Sequence, residues 1–184
     1  MNEQRRTRVS KYLALHLRHQ PESLGLTLEP GGWVPVDLLL TAASAHGFPI
    51  SHAELTEVVA KCGKKRYAYD PSGTKIRANQ GHSTDVELDL PPTPPPAELY
   101  HGTATRFADV IRTEGLKKMA RHHVHLSADV ATAVAVGTRH GRPLVFGVDA
   151  ASMSRDGFTF YRSANGVWLV DAVPPQYLRE APPA

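Results

Sequence analysis

The sequence predicts an α+β protein built from two halves. In residues 1–62, apolar side chains recur at the three- and four-residue spacing of amphipathic helices. After position 98, most apolar residues fall in short runs bounded by glycine or proline, which is typical of strands. A segment with five prolines, 88–97, separates the two patterns. Because clustered prolines exclude helices and central strands, we predict a semi-rigid linker between domains at 1–87 and 98–184.

Three helices are predicted in the first half. Val9, Tyr12, Leu13 and Leu17 have helical spacing within residues 7–20, and Pro21 ends that helix. We expect Asp37 to cap a second helix. Ser51 and Glu54 have the spacing of a capping box at the start of a third.

A β-hairpin is predicted after these helices. The extended runs 66–69 and 75–78 flank the turn sequence Asp70-Pro71-Ser72-Gly73. Helices followed by a hairpin indicate a small winged-helix module. The first half should therefore be a winged-helix lobe.

The sequence of the second half predicts mostly strands, with two helices packed on the sheet. Strands are expected at 99–103, 123–127 and 144–148, and Asn165-Gly166 predicts a tight hairpin turn between two more. A helix with Phe107, Val110 and Ile111 inward should end at Gly115, and another should run from 129 to 137. The sequence shows no internal repeat.

Composition narrows the class of protein. The 184 residues are 41% hydrophobic and 21% charged, which is ordinary for a globular domain. We expect no membrane helix, because no apolar run reaches the roughly 20 residues that a membrane span needs. We expect no secretory signal, because no apolar stretch follows the basic residues at positions 1–6. The single cysteine, Cys62, excludes an internal disulfide framework and fits a reducing cytoplasm. We expect it in the core, and we expect a cytoplasmic monomer.

Basic residues cluster in the first half of the chain. The net charge is only +3, and the pI is about 9.1. A basic cluster indicates a polyanionic partner, although a solvated face is the commoner explanation for a single run of charge. The clustered residues are Arg5, Arg6, Arg8, Lys11 and Arg18, followed by Lys61, Lys64, Lys65 and Arg66.

Two predicted strands of the second half carry histidine and hydroxyl side chains. The first holds His101-Gly102-Thr103, and the second holds His123, His125 and Ser127. Imidazole and hydroxyl groups suit the hydroxyls of a sugar, and Gly102 lets a flat ligand approach the backbone. For any one histidine, a satisfied surface or core residue is the commoner alternative. A zinc site would need ligands beyond a pair of these histidines, and the single cysteine helps little, so we expect no metal site.

An ordered set of motifs covers nearly the whole chain. The motifs are Ser10-Lys11, Leu13, Leu17-Arg18-His19, Gly32-Trp33-Val34, Val36-Asp37, Lys65-Arg66-Tyr67, Ile76 to Ser83, His101-Gly102-Thr103, Gly115-Leu116, Met119, Arg121, His123 to Ser127, Asn165 to Leu169, Asp171, Val173-Pro174-Pro175 and Tyr177-Leu178. Each motif alone is weakly specific, whereas the ordered combination is highly specific. This combination resembles the RNA 2′-phosphotransferases, a branch of the ADP-ribosyltransferase fold. Tyr67 stands where phenylalanine is expected most often in that family.

The resemblance implies a winged-helix RNA lobe and an ADP-ribosyltransferase-like lobe with a split β-sheet that binds NAD. It implies NAD-dependent removal of an internal RNA 2′-monophosphate from a tRNA-like substrate. The phosphate expels nicotinamide from NAD, and the ribose 2″-hydroxyl then attacks that phosphate. The products are RNA with a 2′-hydroxyl, ADP-ribose 1″,2″-cyclic phosphate and nicotinamide. NAD is thus a co-substrate, and no metal is implied.

The resemblance also assigns the site residues. The catalytic set comprises Arg18, His19, Arg66 and Arg121. The NAD contacts are His101, Gly102, Thr103, His125, Ser127 and, at the pyrophosphate, Arg142. The RNA contacts are Lys11, Lys65, Arg77, Asn79, Gln80, His82 and Ser83.

Residue chemistry favours the same assignment independently. Arginine grips phosphate oxygens bidentately and keeps its charge, and histidine can move a proton near neutral pH. Two alternatives stay open: an ADP-ribosyltransferase that modifies another acceptor, and a non-catalytic winged-helix nucleic-acid binder with an appended β-domain. Incubation with NAD and 2′-phosphorylated RNA separates all three.

Overall fold

The computed structural model describes residues 1–86 and 88–181. Helices and sheets occur in both halves, so the α+β prediction is confirmed. The chain divides into two compact units, Met1–Asp89 and a second that begins at Leu90. This division falls inside the proline-rich segment 88–97. Within these described ranges, no helix is both long and apolar enough to cross a membrane.

The first unit packs three helices against a small sheet. Its elements are α1 (Glu3–Arg18), β1 (Val34–Pro35), α2 (Val36–Ala45), α3 (His52–Lys61), β2 (Tyr67–Tyr69) and β3 (Lys75–Ala78). The antiparallel strands lie in the order β1-β3-β2, so the predicted hairpin is confirmed. Leu13, Leu39, Leu55 and Ile76 lie in one fully buried core, which explains the helical spacing of the apolar residues.

The helix starts differ from two predictions. α1 begins at Glu3 rather than at residue 7, because the Asn2 side chain accepts a hydrogen bond from the Arg5 backbone at 2.8 Å. Asp37 lies in the first turn of α2 and does not cap it; Val36 begins that helix, and its N–H donates to the carbonyl of Thr74. The capping box of Ser51 and Glu54 is confirmed.

The second unit is built mainly from short antiparallel strands. Its strands are β4 (Glu98–Ala104), β5 (Leu116–Lys117), β6 (Val124–Leu126), β7 (Pro143–Asp149), β8 (Tyr161–Arg162), β9 (Trp168–Val170), β10 (Ala172–Val173) and β11 (Leu178–Glu180). They form sheets in the orders β11-β7-β4, β6-β9-β8 and β10-β5. Tyr100 and Ser127 form a two-way backbone bridge that joins the β4 edge to the chain just after β6.

Three helices accompany these strands, one more than predicted: α4 (Ala108–Glu114), α5 (Val130–Gly137) and α6 (Ala150–Arg155). The inward face of α4 was predicted only in part. Ile111 is buried, but Phe107 and Val110 are 42% and 56% exposed. The helix begins only at Ala108, so Ala108 and Ile111, three residues apart, form its inner face.

Three local predictions need correction. The turn at Asn165-Gly166 spans residues 163–167, since Arg162 pairs with Trp168, and only Gly166 has a positive φ. Cys62 follows α3 and is only partly buried, because α3 ends at Lys61. The proline segment is not only a spacer: the Thr93 N–H donates to the carbonyl of Phe160 at 2.8 Å.

Candidate functional site

The C-terminal end of α1 presents two of the predicted catalytic residues. Arg18 is the last residue of the helix, and His19 follows it as the C-cap. The Ser83 N–H donates to the Arg18 carbonyl at 2.9 Å, and the Ser83 hydroxyl lies 2.9 Å from His19 Nδ1. The structure therefore brings together Arg18, His19 and Ser83, and Ser83 fixes both the backbone and the imidazole at the end of this helix.

Arg66 is held in place through its own backbone and that of its neighbour. The Asn79 N–H donates to the Arg66 carbonyl at 2.8 Å, and the Asn79 side-chain amide donates to the Lys65 carbonyl at 2.6 Å. Lys65 adopts a φ of +40°, a left-handed conformation that costs energy for a residue with a side chain. The Arg66 side chain donates to Cys62 Sγ at 3.5 Å. Asn79 thus positions the segment that carries Arg66.

Tyr67 connects these two groups of residues. Its ring is buried, and its hydroxyl donates to the Ser10 carbonyl. Burial raises the pKa of Tyr67, while that hydrogen bond and the positive charges of Arg18 and Arg66 oppose the rise. Both guanidinium groups therefore lie near one ring. The hydroxyl that distinguishes Tyr67 from the expected phenylalanine has a partner inside the first unit.

Some predicted RNA contacts lie inside the first unit rather than on its surface. Asn79 and His82 are 3% and 2% exposed, so their side chains do not face solvent where RNA would bind. The Arg77 guanidinium stacks over the Trp33 ring at 4.5 Å and donates to the Gly31 carbonyl at 3.2 Å. Asn79 and His82 therefore lie within the unit, whereas the half-buried Arg77 packs against the chain at Gly31 and Trp33. Lys11, Lys65 and Ser83 are exposed, and Gln80 is half-buried.

The second unit brings His101, His125 and Arg121 together. His101 Nδ1 lies 3.1 Å from the His125 carbonyl, and Arg121 Nη1 lies 3.1 Å from His125 Nδ1. A carbonyl can only accept, so Nδ1 of His101 carries the hydrogen and its Nε2 is an acceptor. A guanidinium can only donate, so Nδ1 of His125 accepts and its Nε2 carries the hydrogen. The two rings thus offer complementary hydrogen-bonding atoms.

The surroundings of His101 favour its neutral form. Burial lowers its pKa below the ordinary value, the hydrogen bond to His125 opposes this shift, and the charges of Arg121 and His140 add to the lowering. His140 was not singled out in the sequence analysis. It follows α5 in a short turn, Thr138–His140, and no spacing in the sequence indicates that it lies near His101.

Packing against α5 explains why position 102 is a glycine. A Cβ on Gly102 would lie 1.7 Å from the carbonyl oxygen of Ala133 in α5. The absence of a side chain therefore lets β4 and α5 come into contact. Thr103, next on β4, is 7% exposed, while Arg142 is exposed and its carbonyl accepts from the Thr105 N–H. The Ser127 backbone is paired with Tyr100, beside His101.

His123 occupies a different environment from His125, although both point away from the buried face of β6. Its ring lies edge-on to Tyr161 at 5.5 Å, and Nε2 lies 3.9 Å from a carboxylate oxygen of Asp171. Burial lowers the pKa of His123, while the Asp171 charge opposes that shift. Over residues 1–86 and 88–181, no group of three or more histidine, cysteine, aspartate or glutamate side chains could hold a metal ion.

Guanidinium and imidazole groups in both units have the chemistry of proteins that bind phosphate-bearing ligands. Comparison with known proteins gives the family. Residues 4–172 match the model of the RNA 2′-phosphotransferase, Tpt1 / KptA family, and the chain belongs to that family.

Curated relatives are similar to the chain over almost their whole length. A probable RNA 2′-phosphotransferase of Streptomyces griseus is 59% identical over 185 residues, covering 97% of this chain and 98% of its own. A protein of the same name from Trichormus variabilis is 57% identical, with coverage of 97% and 98%. The one from Nostoc punctiforme is 54% identical, with coverage of 98% and 99%.

Proposed function

We propose that this protein is an NAD-dependent RNA 2′-phosphotransferase. It would remove an internal 2′-monophosphate from a tRNA-like RNA and leave a 2′-hydroxyl. Family membership and the names of the relatives support the phosphotransferase activity. NAD dependence rests on the resemblance of the sequence and on the chemistry of the residues around His101. The winged-helix and ADP-ribosyltransferase-like character of the two lobes belongs to the same proposal.

One observation carries the proposal furthest: Arg18, His19 and Arg66, all assigned to the reacting phosphate, are held by hydrogen bonds within the first unit. Ser83 holds the Arg18 backbone and the His19 imidazole, and Asn79 holds the Arg66 backbone. A 2′-phosphate beside a phosphodiester is densely anionic, and guanidinium groups bind such oxygens without losing charge. Donors fixed in advance stabilise the charge that develops during phosphoryl transfer at no reorganisation cost.

Each residue of the catalytic set has a proposed role. The guanidinium groups of Arg18 and Arg66 in the first unit contact the phosphate oxygens, and the resemblance also assigns Arg121 of the second unit to phosphate. The His19 imidazole, oriented by Ser83 through Nδ1, presents Nε2 to the phosphate or moves a proton there. A role for a metal ion is not needed in this scheme, because the guanidinium groups supply the positive charge.

The residues around His101 suit the co-substrate. NAD supplies the ribose carbon that accepts the phosphate, and the cyclic phosphate of ADP-ribose and nicotinamide leave as products. A sugar hydroxyl can donate to Nε2 of His101 and accept from Nε2–H of His125. This pairing requires a neutral His101, and burial, which lowers the His101 pKa, favours that form. Thr103, Ser127 and Arg142 are proposed as further contacts.

The test uses the full-length protein, an RNA oligonucleotide with one internal 2′-phosphate, and NAD. We expect the RNA to lose the mass of one phosphate and nicotinamide to appear in equal amount. Matched reactions omit NAD, use the same RNA with a 2′-hydroxyl, or contain a chelator of divalent metals; only the chelated reaction should proceed.

Other outcomes separate the alternatives. Transfer of ADP-ribose to an RNA terminus or to a protein, with the 2′-phosphate left intact, would point to a different acceptor. RNA binding without consumption of NAD would indicate a non-catalytic binder. Restoration of activity by one metal after chelation would refute the metal-free scheme.

A further inference from the structure

The segment 62–66, between α3 and β2, is folded tightly around the side chain of Cys62. The Lys65 N–H donates to the Cys62 carbonyl at 2.7 Å, which closes a turn, and Lys65 has a φ of +40°. The backbone N–H groups of Arg66 and Lys64 donate to the Cys62 sulfur. The backbone and the side chain of Cys62 therefore both hold the turn from which Arg66 extends.

The guanidinium group of Arg66 meets the same sulfur. Arg66 Nη1 donates to Cys62 Sγ at 3.5 Å. Among residues 1–86 and 88–181, no carboxylate forms an ion pair with Arg66, so the sulfur is the contact that orients its side chain. Asn79 holds the backbone of the segment through the carbonyls of Lys65 and Arg66. The main chain and the side chain of Arg66 are thus held by different residues.

Electrostatics strengthens the contact between the sulfur and the guanidinium. Burial raises the pKa of the Cys62 thiol, but hydrogen bonds from the backbone and side chain of Arg66 and from the Lys64 backbone leave that pKa below its ordinary value. A thiolate accepts hydrogen bonds more strongly than a thiol does. Cys62 is partly buried, so water and salt screen this contact less than they screen a surface ion pair.

We propose that Cys62 is a positioning residue, whose sulfur orients the Arg66 guanidinium towards the 2′-phosphate. This rests on the proposed function, in which Arg66 contacts that phosphate. A guanidinium has several N–H donors, so one can stay on the sulfur while the others bind phosphate oxygens. An arginine that is already oriented loses less freedom when the phosphate binds, and its donors meet the charge that develops. The sulfur itself forms no bond to the substrate.

A packing role for Cys62 makes a different prediction. Loss of packing would lower stability and would lower the reaction rate by the same factor whether or not Arg66 is present. A sulfur that acts through Arg66 has nothing left to orient once the guanidinium is gone. The two roles therefore differ in how the effects of substitutions at positions 62 and 66 combine.

The main test is a double-mutant cycle in single-turnover assays of the full-length protein, with saturating NAD and RNA that carries one internal 2′-phosphate. We expect Cys62→Ala to lower the rate of phosphate removal by about tenfold, because a displaced guanidinium meets the phosphate less well. Arg66→Ala should lower the rate roughly 10²-fold. The double variant should be no slower than Arg66→Ala alone. Rates are compared below the Tm of every variant.

Two outcomes of this cycle would overturn the proposal. The first is a double variant roughly 10³-fold slower than the wild type, because additive losses mean that Cys62 acts independently of Arg66. The second comes from the matched variant Cys62→Ser, which keeps a hydrogen-bond acceptor of similar size and should react within about twofold of the wild-type rate. A serine variant as slow as the alanine variant would show that the acceptor does not matter.

The second measurement follows the contact itself and does not depend on catalysis. Cys62 is the single cysteine of the chain and lines a groove of about 520 Å³ together with Arg66, so iodoacetamide can reach its sulfur. Arg66→Gln should move the pH dependence of alkylation, followed by intact mass, to higher pH, because the Arg66 side chain lowers the pKa of Cys62.

The control for alkylation is Lys11→Gln, which removes a charge from the lining of the same groove. Lys11 is not among the groups that lower the Cys62 pKa, so its variant should keep the wild-type pH dependence. An unshifted profile for Arg66→Gln, or an equal shift in both variants, would overturn the proposal, because the guanidinium would then have no specific contact with the sulfur.

Failure of this proposal is distinguishable from failure of the proposed function. If the wild type removes the 2′-phosphate but the double-mutant cycle is additive, only the positioning role fails. If folded Arg66→Ala keeps normal turnover, Cys62 has no catalytic arginine to orient, and the phosphotransferase activity still stands. If the wild type removes no phosphate, the proposed function fails and the positioning role fails with it, even where a shifted alkylation profile shows that the contact exists.

Discussion

The substitution Gly102→Ala gives a sharp test of the packing between β4 and α5. The added methyl group would lie 1.7 Å from the Ala133 carbonyl oxygen, 2.6 Å from its carbonyl carbon and 3.0 Å from the Gly137 nitrogen. All three atoms are backbone, so no side-chain rotation can relieve the overlap. Relief requires a shift of α5 away from β4. Overpacking of a core costs about 1–3 kcal/mol, and a backbone clash belongs at the upper end.

We expect Gly102→Ala to lower the free energy of unfolding by about 3 kcal/mol or more. For a chain of this size, 1 kcal/mol corresponds to about 2–4 °C, so the Tm should fall by roughly 6–12 °C. Urea unfolding followed by circular dichroism, with calorimetry for the Tm, measures both. Gly63→Ala is the control, because a Cβ at Gly63 meets nothing within 4 Å. It should change stability by less than about 0.5 kcal/mol.

The two possible reasons for glycine at position 102 give different results. If the residue is needed only for approach of a ligand, the alanine variant should unfold as the wild type does and lose only affinity for NAD. A free energy of unfolding within about 0.5 kcal/mol of the wild type would therefore refute the packing argument.

Three further predictions concern titration, an ion pair and turnover. The pKa of His101 is lowered in the folded protein, so the unfolded chain binds the proton more tightly and the stability of the wild type falls as pH drops through about 6.5. His101→Asn should therefore make stability depend less on pH on the acid side. If urea midpoints of the variant between pH 5 and 7 had the same slope as those of the wild type, the prediction would be contradicted. Glu54→Gln should lower the free energy of unfolding by about 1 kcal/mol at pH 7. The hydrogen bonds from Arg5 and the Ser51 backbone lower the Glu54 pKa to about 2, so this loss of stability should vanish as pH falls from 4.5 towards 2. Equal losses at pH 2 and pH 7 would refute the charge argument. Arg66→Ala should lower turnover roughly 10²-fold in single-turnover assays with folding intact, whereas Arg8→Ala, on the Phe48 side of α1, should not; near-normal turnover would make Arg66 a surface cation.

Local signals in the sequence were enough to predict most helices and strands. The capping box at Ser51 predicts the start of α3, and the turn at Asp70-Pro71-Ser72-Gly73 predicts the hairpin, because both depend on residues close together in the chain. The predicted start of α2 was wrong because it depends on residues far apart in the chain. The hydrogen bond from the Val36 N–H to Thr74 is set by the distant hairpin, which overrides the local capping tendency of Asp37.

The sequence names the residues of the candidate site, but how they pack depends on the fold. Motif order indicated Asn79 and His82, yet only the fold shows that both are buried and that Asn79 supports Lys65 and Arg66. In the same way, Gly102 was explained by a ligand, although the clash at Ala133 depends on a helix that begins 28 residues later at Val130. His140 carries no local signal at all.

The strand β4 has a consequence for the timescales of motion in the second unit. Seven consecutive residues of β4 pair with β7, and His101 lies in the middle of that ladder. Arg121 lies on an exposed segment after Met119, which is 85% exposed and has a positive φ. We therefore expect β4 amides to exchange hydrogen with solvent only on global unfolding and the amide of Arg121 to exchange by local opening. A ligand would then meet an imidazole already in place and order the guanidinium on arrival.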